Sequence, residues 1–402
     1  DSMDWLDERQ AKIEDALFKS RPGADRSRLF LYDVTSSYLE GFDNAYAAYG
    51  YNRDGKKGKL QIVVGLLTDS SGTPVSVEVF EGDTQDQKTV FSQIRKVADR
   101  FGVKDVIFVG DRGMLKSAQI KDLNSESFNY LTAITKPQVE SLVKQGLIQL
   151  GMFEDKLCEV MCEGVRYILR RNPERASEIA TGREDKLRSL AALVRKKNDY
   201  LAGHSRAGVE IALRDVRAYA AKLRIDKWAL ISVEGRVISL DQDEAELERA
   251  ARFDGCYVLK TDVSPEAAGA QNLHSRYKDL AQVEHGFRTM KTGHLEVRPV
   301  FVRTAARTRA HVFIVMLSYL LRRELDRAWR RLDVTVEEGL EMLGTLCADE
   351  VVIGDQSGYL TVPEPRPSLG RLFDSLNIAP PDTLPRSKAV VATKRKLPSR
   401  RK

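Results

Sequence analysis

The chain of 402 residues has only four cysteines, Cys158, Cys162, Cys256 and Cys347. None forms a CxxC pair and no histidine stands at zinc-finger distance, so neither a disulfide framework nor a zinc ribbon is encoded. Reduced, buried thiols are expected, with Cys158 and Cys162 on strands. Long apolar runs are missing too. A membrane span needs about 20 apolar residues, whereas the best stretch, around 312–321, runs into Arg322 and Arg323. The opening DSMDWLDERQAKIED is acidic and helical, unlike a secretory signal. A cytoplasmic protein with no membrane partner is the expectation. The five histidines show no ligand spacing, and the loop YGYNRDGKKGK at 49–59 lacks the GxxxxGK[ST] order of a phosphate cradle, so no nucleotide cofactor is expected. No internal repeat is present.

What the chain does have is enough apolar sequence for a core, 42% hydrophobic beside 30% charged, in one large or two modest domains. Its net charge of +6 is unevenly placed. Residues 386–402 carry eight Lys or Arg and no acid, leaving the rest of the chain at −2. From Arg288 to Arg331, eleven Lys or Arg face three acids. Such stripes suit a phosphate backbone, although a basic terminal run is as often a solvated tail.

Taken in order, residues 4–19 read as a helix closed by the RPGAD turn. LFLYDV at 29–34 is a β-prone run that delivers Asp33 at its far end. Buried strands seldom carry an acid without cause. QIVVGLLTD and PVSVEVFEG form a hairpin across Ser70-Ser71-Gly72-Thr73. Thr84 and Gln87 offer a capping box for a helix running to about Arg100, which explains Asp83 and Asp86 as turn and helix-start residues. VKDVIFVGDRGML at 103–115 is a strand of the parallel, buried type ending in Asp111, followed by a helix at 115–124 and a strand at 128–135. This order makes a mixed sheet with helices on its faces.

Residues 153–252 interrupt that order with two short strands around Glu163-Gly164, helices at 174–200 and 207–223, a hairpin turning at Glu234-Gly235, and a helix at 242–252. DGCYVLKTD at 254–262 returns to the sheet. Ser264 and Pro265 can open the next helix, with a break near Gly269. PEPRPSLG and IAPPDTLPRS read as loops or linkers. Trp5, Trp228 and Trp329 are read as core residues rather than base-stacking ones.

The stretch QNLHSRYKDLAQVEHGFRTMKTGHLEVR at 271–298 carries the sharpest pattern. At 3.6 residues per turn Tyr277, Glu284 and Lys291 share one face, with Arg288 a turn past Glu284. Read alone, this is an amphipathic helix with a charged face. The stretch resembles the Tyr-(2)-Arg-(3)-Glu-(6)-Lys signature of bacterial insertion-sequence transposases of the DDE superfamily. Tyr277, Glu284 and Lys291 fit its spacing, Leu280 stands at the arginine position, and Arg276 and Arg288 are the neighbours to which that role could pass. YDVTSSY around Asp33, VGDRGML around Asp111 and EGDTQD resemble further motifs of the group.

The resemblance implies a ribonuclease-H-like α/β fold: a mixed sheet flanked by helices, with an inserted α+β subdomain before the glutamate helix. The divisions expected are a helical lead-in at 1–28, the core at 29–152 and 253–331, the insertion at 153–252, and a C-terminal segment with a basic tail at 332–402. A DNA-end-binding region is expected before this point of the chain. The resemblance further implies Asp33, Asp111 and Glu284 as catalytic, metal-binding acids holding two Mg²⁺ ions, with Mn²⁺ able to substitute. Tyr277, Arg288 and Lys291 would contact DNA. Two divalent ions neutralise the attacking and leaving oxygens of a phosphodiester, and carboxylates are suitable ligands for them. The implied protein cuts insertion-sequence ends and joins the 3′ hydroxyl to target DNA, as a homodimer on DNA in a bacterial cytoplasm, nucleoid-associated when bound. A related nuclease that hydrolyses without joining, and an inactive transposase that only binds DNA, are the alternatives.

Overall fold

The computed structural model describes residues 2–21, 29–104, 106–292, 294–350 and 360–384. Two compact units divide the chain, residues 1–291 with 297–313, and residues 292–296 with 314–402. In the first, α1 (Ser2–Lys19) precedes β1 (Leu29–Tyr38) and the hairpin of β2 (Gln61–Asp69) and β3 (Pro74–Glu81). Then come α2 (Asp86–Arg95), β4 (Ile107–Gly110), α3 (Ser117–Ser125), β5 (Asn129–Ala133), α4 (Lys136–Lys144), β6 (Cys158–Cys162) and β7 (Val165–Arg171). Helices α5 (Pro173–Gly203) and α6 (Val209–Leu223), hairpin strands β8 (Ala229–Glu234) and β9 (Val237–Gln242), and α7 (Glu244–Ala251) lead to β10 (Cys256–Thr261). The helices α8 (Ala270–Lys278) and α9 (Leu280–Met290) follow, then α10 (Ala305–Trp329), which belongs to the second unit from Ile314 onward.

Eight strands form one sheet in the order β3-β2-β1-β4-β5-β10-β7-β6. β2 runs antiparallel to β1, while β4 runs parallel to β1 and β5 parallel to β4. This is the ribonuclease-H-like arrangement. β1 is buried along nearly its whole length, as a strand covered on both faces must be. Its even residues Phe30, Tyr32 and Val34 pack with Val90, Ile94 and Leu123 of the helices on one face. By strand alternation Leu31, Asp33 and Thr35 point to the other face. There α9 packs on β1 and β2, with Val283, Phe287 and Met290 buried. The turn beneath it needs glycine: Gly72 has φ +74°, and a Cβ there would stand 2.5 Å from Gln282 Oε1 of α9.

An edge strand exposes unpaired amides, and α1 covers that of β3. Gln10 Nε2 donates to the Val77 carbonyl at 2.8 Å, and Glu14 Oε1 accepts from the Val77 amide at 3.3 Å. The segment with a core of its own is 173–251, where Leu190, Val194, Val216, Trp228 and Ile238 pack together. The β6–β7 hairpin, expected in the insertion, is hydrogen-bonded through β7 to β10 of the main sheet.

Several local readings differ. No Thr84–Gln87 capping box forms: α2 starts at Asp86 behind Gln85, and Gln87 Nε2 donates to the Gly113 carbonyl at 3.0 Å. The β8–β9 turn lies at Gly235-Arg236, because Glu234 still pairs with Val237 and Gly235 takes φ +59°. Trp5 is 53% exposed, with the Arg9 guanidinium over its ring. Cys347 is exposed and the other three thiols are half-buried.

In the second unit Trp329 packs with Val336, Leu369 and Leu372, which α11 (Val336–Leu343) and α12 (Pro367–Ser375) supply. Trp329 Nε1 donates to the Leu372 carbonyl at 3.3 Å. α12 arises inside PEPRPSLG, read as a loop, because Pro367 sits at the helix start, where a missing amide costs nothing. The RPGAD turn from Pro22 onward, Gly293 and the basic tail lie outside the described residues.

Candidate active site

Strand register brings the first two acids together. Tyr32 pairs with Gly110 across the parallel β1–β4 ladder, so the next residues along, Asp33 and Asp111, stand level on neighbouring strands, about 4.8 Å apart by strand spacing. β4 ends at Gly110, which leaves Asp111 at an exposed strand terminus. Asp111 Oδ1 accepts from the Arg112 amide at 2.7 Å and from the Tyr277 hydroxyl at 3.1 Å. Burial and the neighbouring Asp111 push the Tyr277 hydroxyl far above its ordinary value.

Glu284 approaches on α9 from the face that Asp33 addresses. Burial of the Asp33 carboxyl raises its pKa to about 7, and the negative charges of Asp111 and Glu284 add to the rise. The Val34 amide, which donates to Asp33 Oδ1 at 2.8 Å, and the nearby Arg53 cation oppose it. Neither Asp33, Asp111 nor Glu284 is ion-paired among the described residues. Asp111, Tyr277 and Glu284 line a cleft of ≈ 530 Å³, together with Arg112, Lys136 and Tyr257. As the side chains stand, no group of three His, Cys, Asp or Glu among the described residues is gathered to ligate a metal. The three carboxylates nonetheless offer the oxygen donors that hard divalent cations prefer. Their mutual repulsion is what a bound cation would relieve.

The expected continuous helix is broken: α8 ends at Lys278 and α9 begins at Leu280, with Asp279 between. Tyr277 and Glu284 still reach the same cleft. Leu280 is buried, and Arg276 bonds Asp279 at 3.5 Å. Arg288 is exposed on α9 and has no ion pair among the described residues. Lys291 differs most from the sequence reading. It follows the last residue of α9, and its Nζ donates to Thr35 Oγ1 at 2.8 Å and to Asp54 Oδ1 at 2.7 Å. Its side chain is 11% exposed, and burial lowers its pKa. Arg298 also pairs with Asp54. Sequence reasoning missed Asp54 and Arg298 because Arg53-Asp54-Gly55 carries the composition of a turn, and nothing local says that its carboxylate is buried.

β1 runs on to Tyr38, so Asp33 lies midway along its strand rather than at the expected end. With Asp111 just past the end of β4 and Glu284 on the helix packed against β1, the ribonuclease-H-like sheet defines a class of fold and site. Residues 25–321 match the family described as Transposase DDE domain, and the chain belongs to that family. No curated protein matches the chain. Among solved structures, the piggyBac transposase synaptic complex with hairpin DNA is 6% identical, with TM-score 0.40, and the match covers 73% of this chain and 46% of that one. The Mos1 transposase paired-end complex with the left transposon end is 12% identical with TM-score 0.20, over 32% of this chain and 42% of that one. The Mos1 mariner paired-end complex with Mn is 13% identical with TM-score 0.16, over 31% and 40%. The chain thus spans less than half the length of each of these proteins.

Proposed function

We propose that the chain is the catalytic region of a DNA transposase that cuts insertion-sequence ends and joins the freed 3′ hydroxyl to target DNA, acting as a homodimer on DNA. The observation that carries this reading is Asp33, a buried carboxyl pushed up to about 7 beside two further acids, none of the three ion-paired among the described residues. A protein gains nothing in stability from such a cluster. Family membership over 25–321 supports the same chemistry.

In this reading Asp33, Asp111 and Glu284 hold two Mg²⁺ ions, with Mn²⁺ able to substitute. Bound there, the ions supply charge neutralisation for the phosphodiester oxygens and a nucleophile at neutral pH. The chain's own groups orient the reaction. The Tyr277 hydroxyl fixes the Asp111 carboxylate through its hydrogen bond. Arg112 and Lys136 give the cleft cations for the DNA phosphates, and exposed Arg288 adds one outside it. Lys291 acts on the end phosphate from beside Thr35 rather than from a solvated helix face.

A second reading, DNA binding without cleavage, is favoured by Leu280, buried where the resembled signature has an arginine. One assay separates the two. On labelled insertion-sequence ends, Asp33→Ala, Asp111→Ala and Glu284→Ala should each abolish cleavage and joining in Mg²⁺ or Mn²⁺. Gel shifts should remain, because phosphate contacts carry most of the affinity. Retained cutting by Glu284→Ala removes the third acid from the site. A wild-type chain that binds ends and cuts them in neither metal supports the second reading, and cutting without joining supports a nuclease.

A further inference from the structure

Asp54 lies in the loop between β1 and β2, and its side chain is 1% exposed. It gathers donors from three separate segments. Lys291, at the end of α9, donates to Oδ1 at 2.7 Å. Arg298, beyond α9, donates to the same oxygen. The Tyr38 amide, at the end of β1, donates to Oδ2 at 3.2 Å. One buried negative charge thus meets two cations, and Lys291 passes the link on to Thr35 of β1. Thr35 stands two residues past Asp33, on the same face of the strand.

We propose that Asp54 is a positioning residue of the acid site: by clamping Lys291 and Arg298 to the end of β1, it fixes the height of the glutamate helix over the strand that carries Asp33. The apolar contacts of Val283, Phe287 and Met290 hold α9 against the sheet, but apolar burial is non-directional. The ion pair has a direction, and it acts at the helix end. Lys291 lies seven residues from Glu284, two helical turns or about 10 Å along a rigid rod, so a shift at the clamp moves the Glu284 carboxylate with it. The neighbouring Arg53 is held separately, its amide donating to Ser36 Oγ at 2.8 Å and its guanidinium pairing with Asp86, and its cation lies near Asp33. Without the carboxylate, Lys291 and Arg298 would face each other uncompensated.

This inference rests on the reading of the acids as metal ligands, and the test keeps the two apart. Mn²⁺ binding to the full chain is measured by calorimetry for the wild type, Asp54→Asn and Glu14→Gln. Glu14 is an equally buried acid, 1% exposed and paired with Arg100 across α1, and it serves as the control for loss of a buried ion pair. Outer partners of metal ligands typically contribute about tenfold or more in affinity. Asp54→Asn should therefore weaken Mn²⁺ binding about tenfold, with Glu14→Gln within about twofold of the wild type. Equal Mn²⁺ affinity in Asp54→Asn and wild type overturns the proposal, as does equal weakening in Glu14→Gln. No Mn²⁺ binding by the wild type overturns the metal reading itself. If Asp54→Asn does not fold, Lys291→Met breaks the same clamp from the other side and should weaken Mn²⁺ binding likewise; an unchanged affinity there overturns the proposal.

Discussion

Two buried carboxylates, Asp33 midway along β1 and Asp54 in the loop beyond its end, meet opposite fates. Asp54 is met by Lys291, Arg298 and a backbone amide. Asp33 has one backbone amide and two neighbouring acids, and its carboxyl is pushed up to about 7. The chain thus compensates the charge of one carboxylate itself and leaves that of the other to something else. Several structural acids follow the first pattern: Glu14 with Arg100, Asp69 with Arg21, Asp254 with Arg183. Asp33, Asp111 and Glu284 depart from it together, and three neighbouring acids without an ion pair among the described residues mark the site.

The sharpest way to break the comparison is to remove each charge and read stability in chelator. A carboxyl whose pKa rises on folding holds a proton that the unfolded chain has released. For Asp33 the native state thus loses stability as pH climbs from about 4 to about 7, and the full cost is present above that window. The rise from 3.8 to about 7 corresponds to at most about 4 kcal/mol. Asp33→Asn should consequently stabilise the metal-free protein at pH 8 and change little at pH 4. Asp54→Asn should go the other way, losing about 3 kcal/mol because it leaves buried cations unpaired. Denaturant melts at the two pH values check both, and equal signs for the two variants at pH 8 would end the contrast.

The smallest effect concerns the basic run at the end of the sequence. Deleting 386–402 removes eight cations and should flatten the salt dependence of DNA binding without touching either carboxylate's behaviour, since each neutralised phosphate releases counterions. An unchanged slope of affinity against salt concentration means that the tail takes no part.

Much of this was legible in the chain because local pattern and register agree. A β-prone run bearing Asp33, a parallel-type strand ending in Asp111 and an amphipathic helix bearing Glu284 are local signals, and the sheet order makes the two strands central neighbours beneath that helix. The residues that were misread depend on long-range partners. Lys291 has the spacing of an exposed helix face, but α9 ends one residue before it and Asp54, 237 positions away, draws it inward. Gln87 fits a capping box until Gly113 offers a carbonyl. Trp5 looks like a core residue by type, yet α1 leaves it on the surface. Sequence period reports which face a residue takes, and only the tertiary fold decides what that face meets.

The central claim is that the charge left uncompensated at Asp33, Asp111 and Glu284 is reserved for divalent cations. Its most direct measurement is the melting temperature of the chain against Mn²⁺ concentration, for the wild type and for Asp33→Asn, Asp111→Asn and Glu284→Gln. A ligand at about a hundred times its dissociation constant adds roughly 2.7 kcal/mol to the state it binds. The wild type should therefore melt several degrees higher in saturating Mn²⁺, and each of the three variants should lose most of that rise. A wild type indifferent to Mn²⁺, or a variant that keeps the whole rise, would contradict the claim.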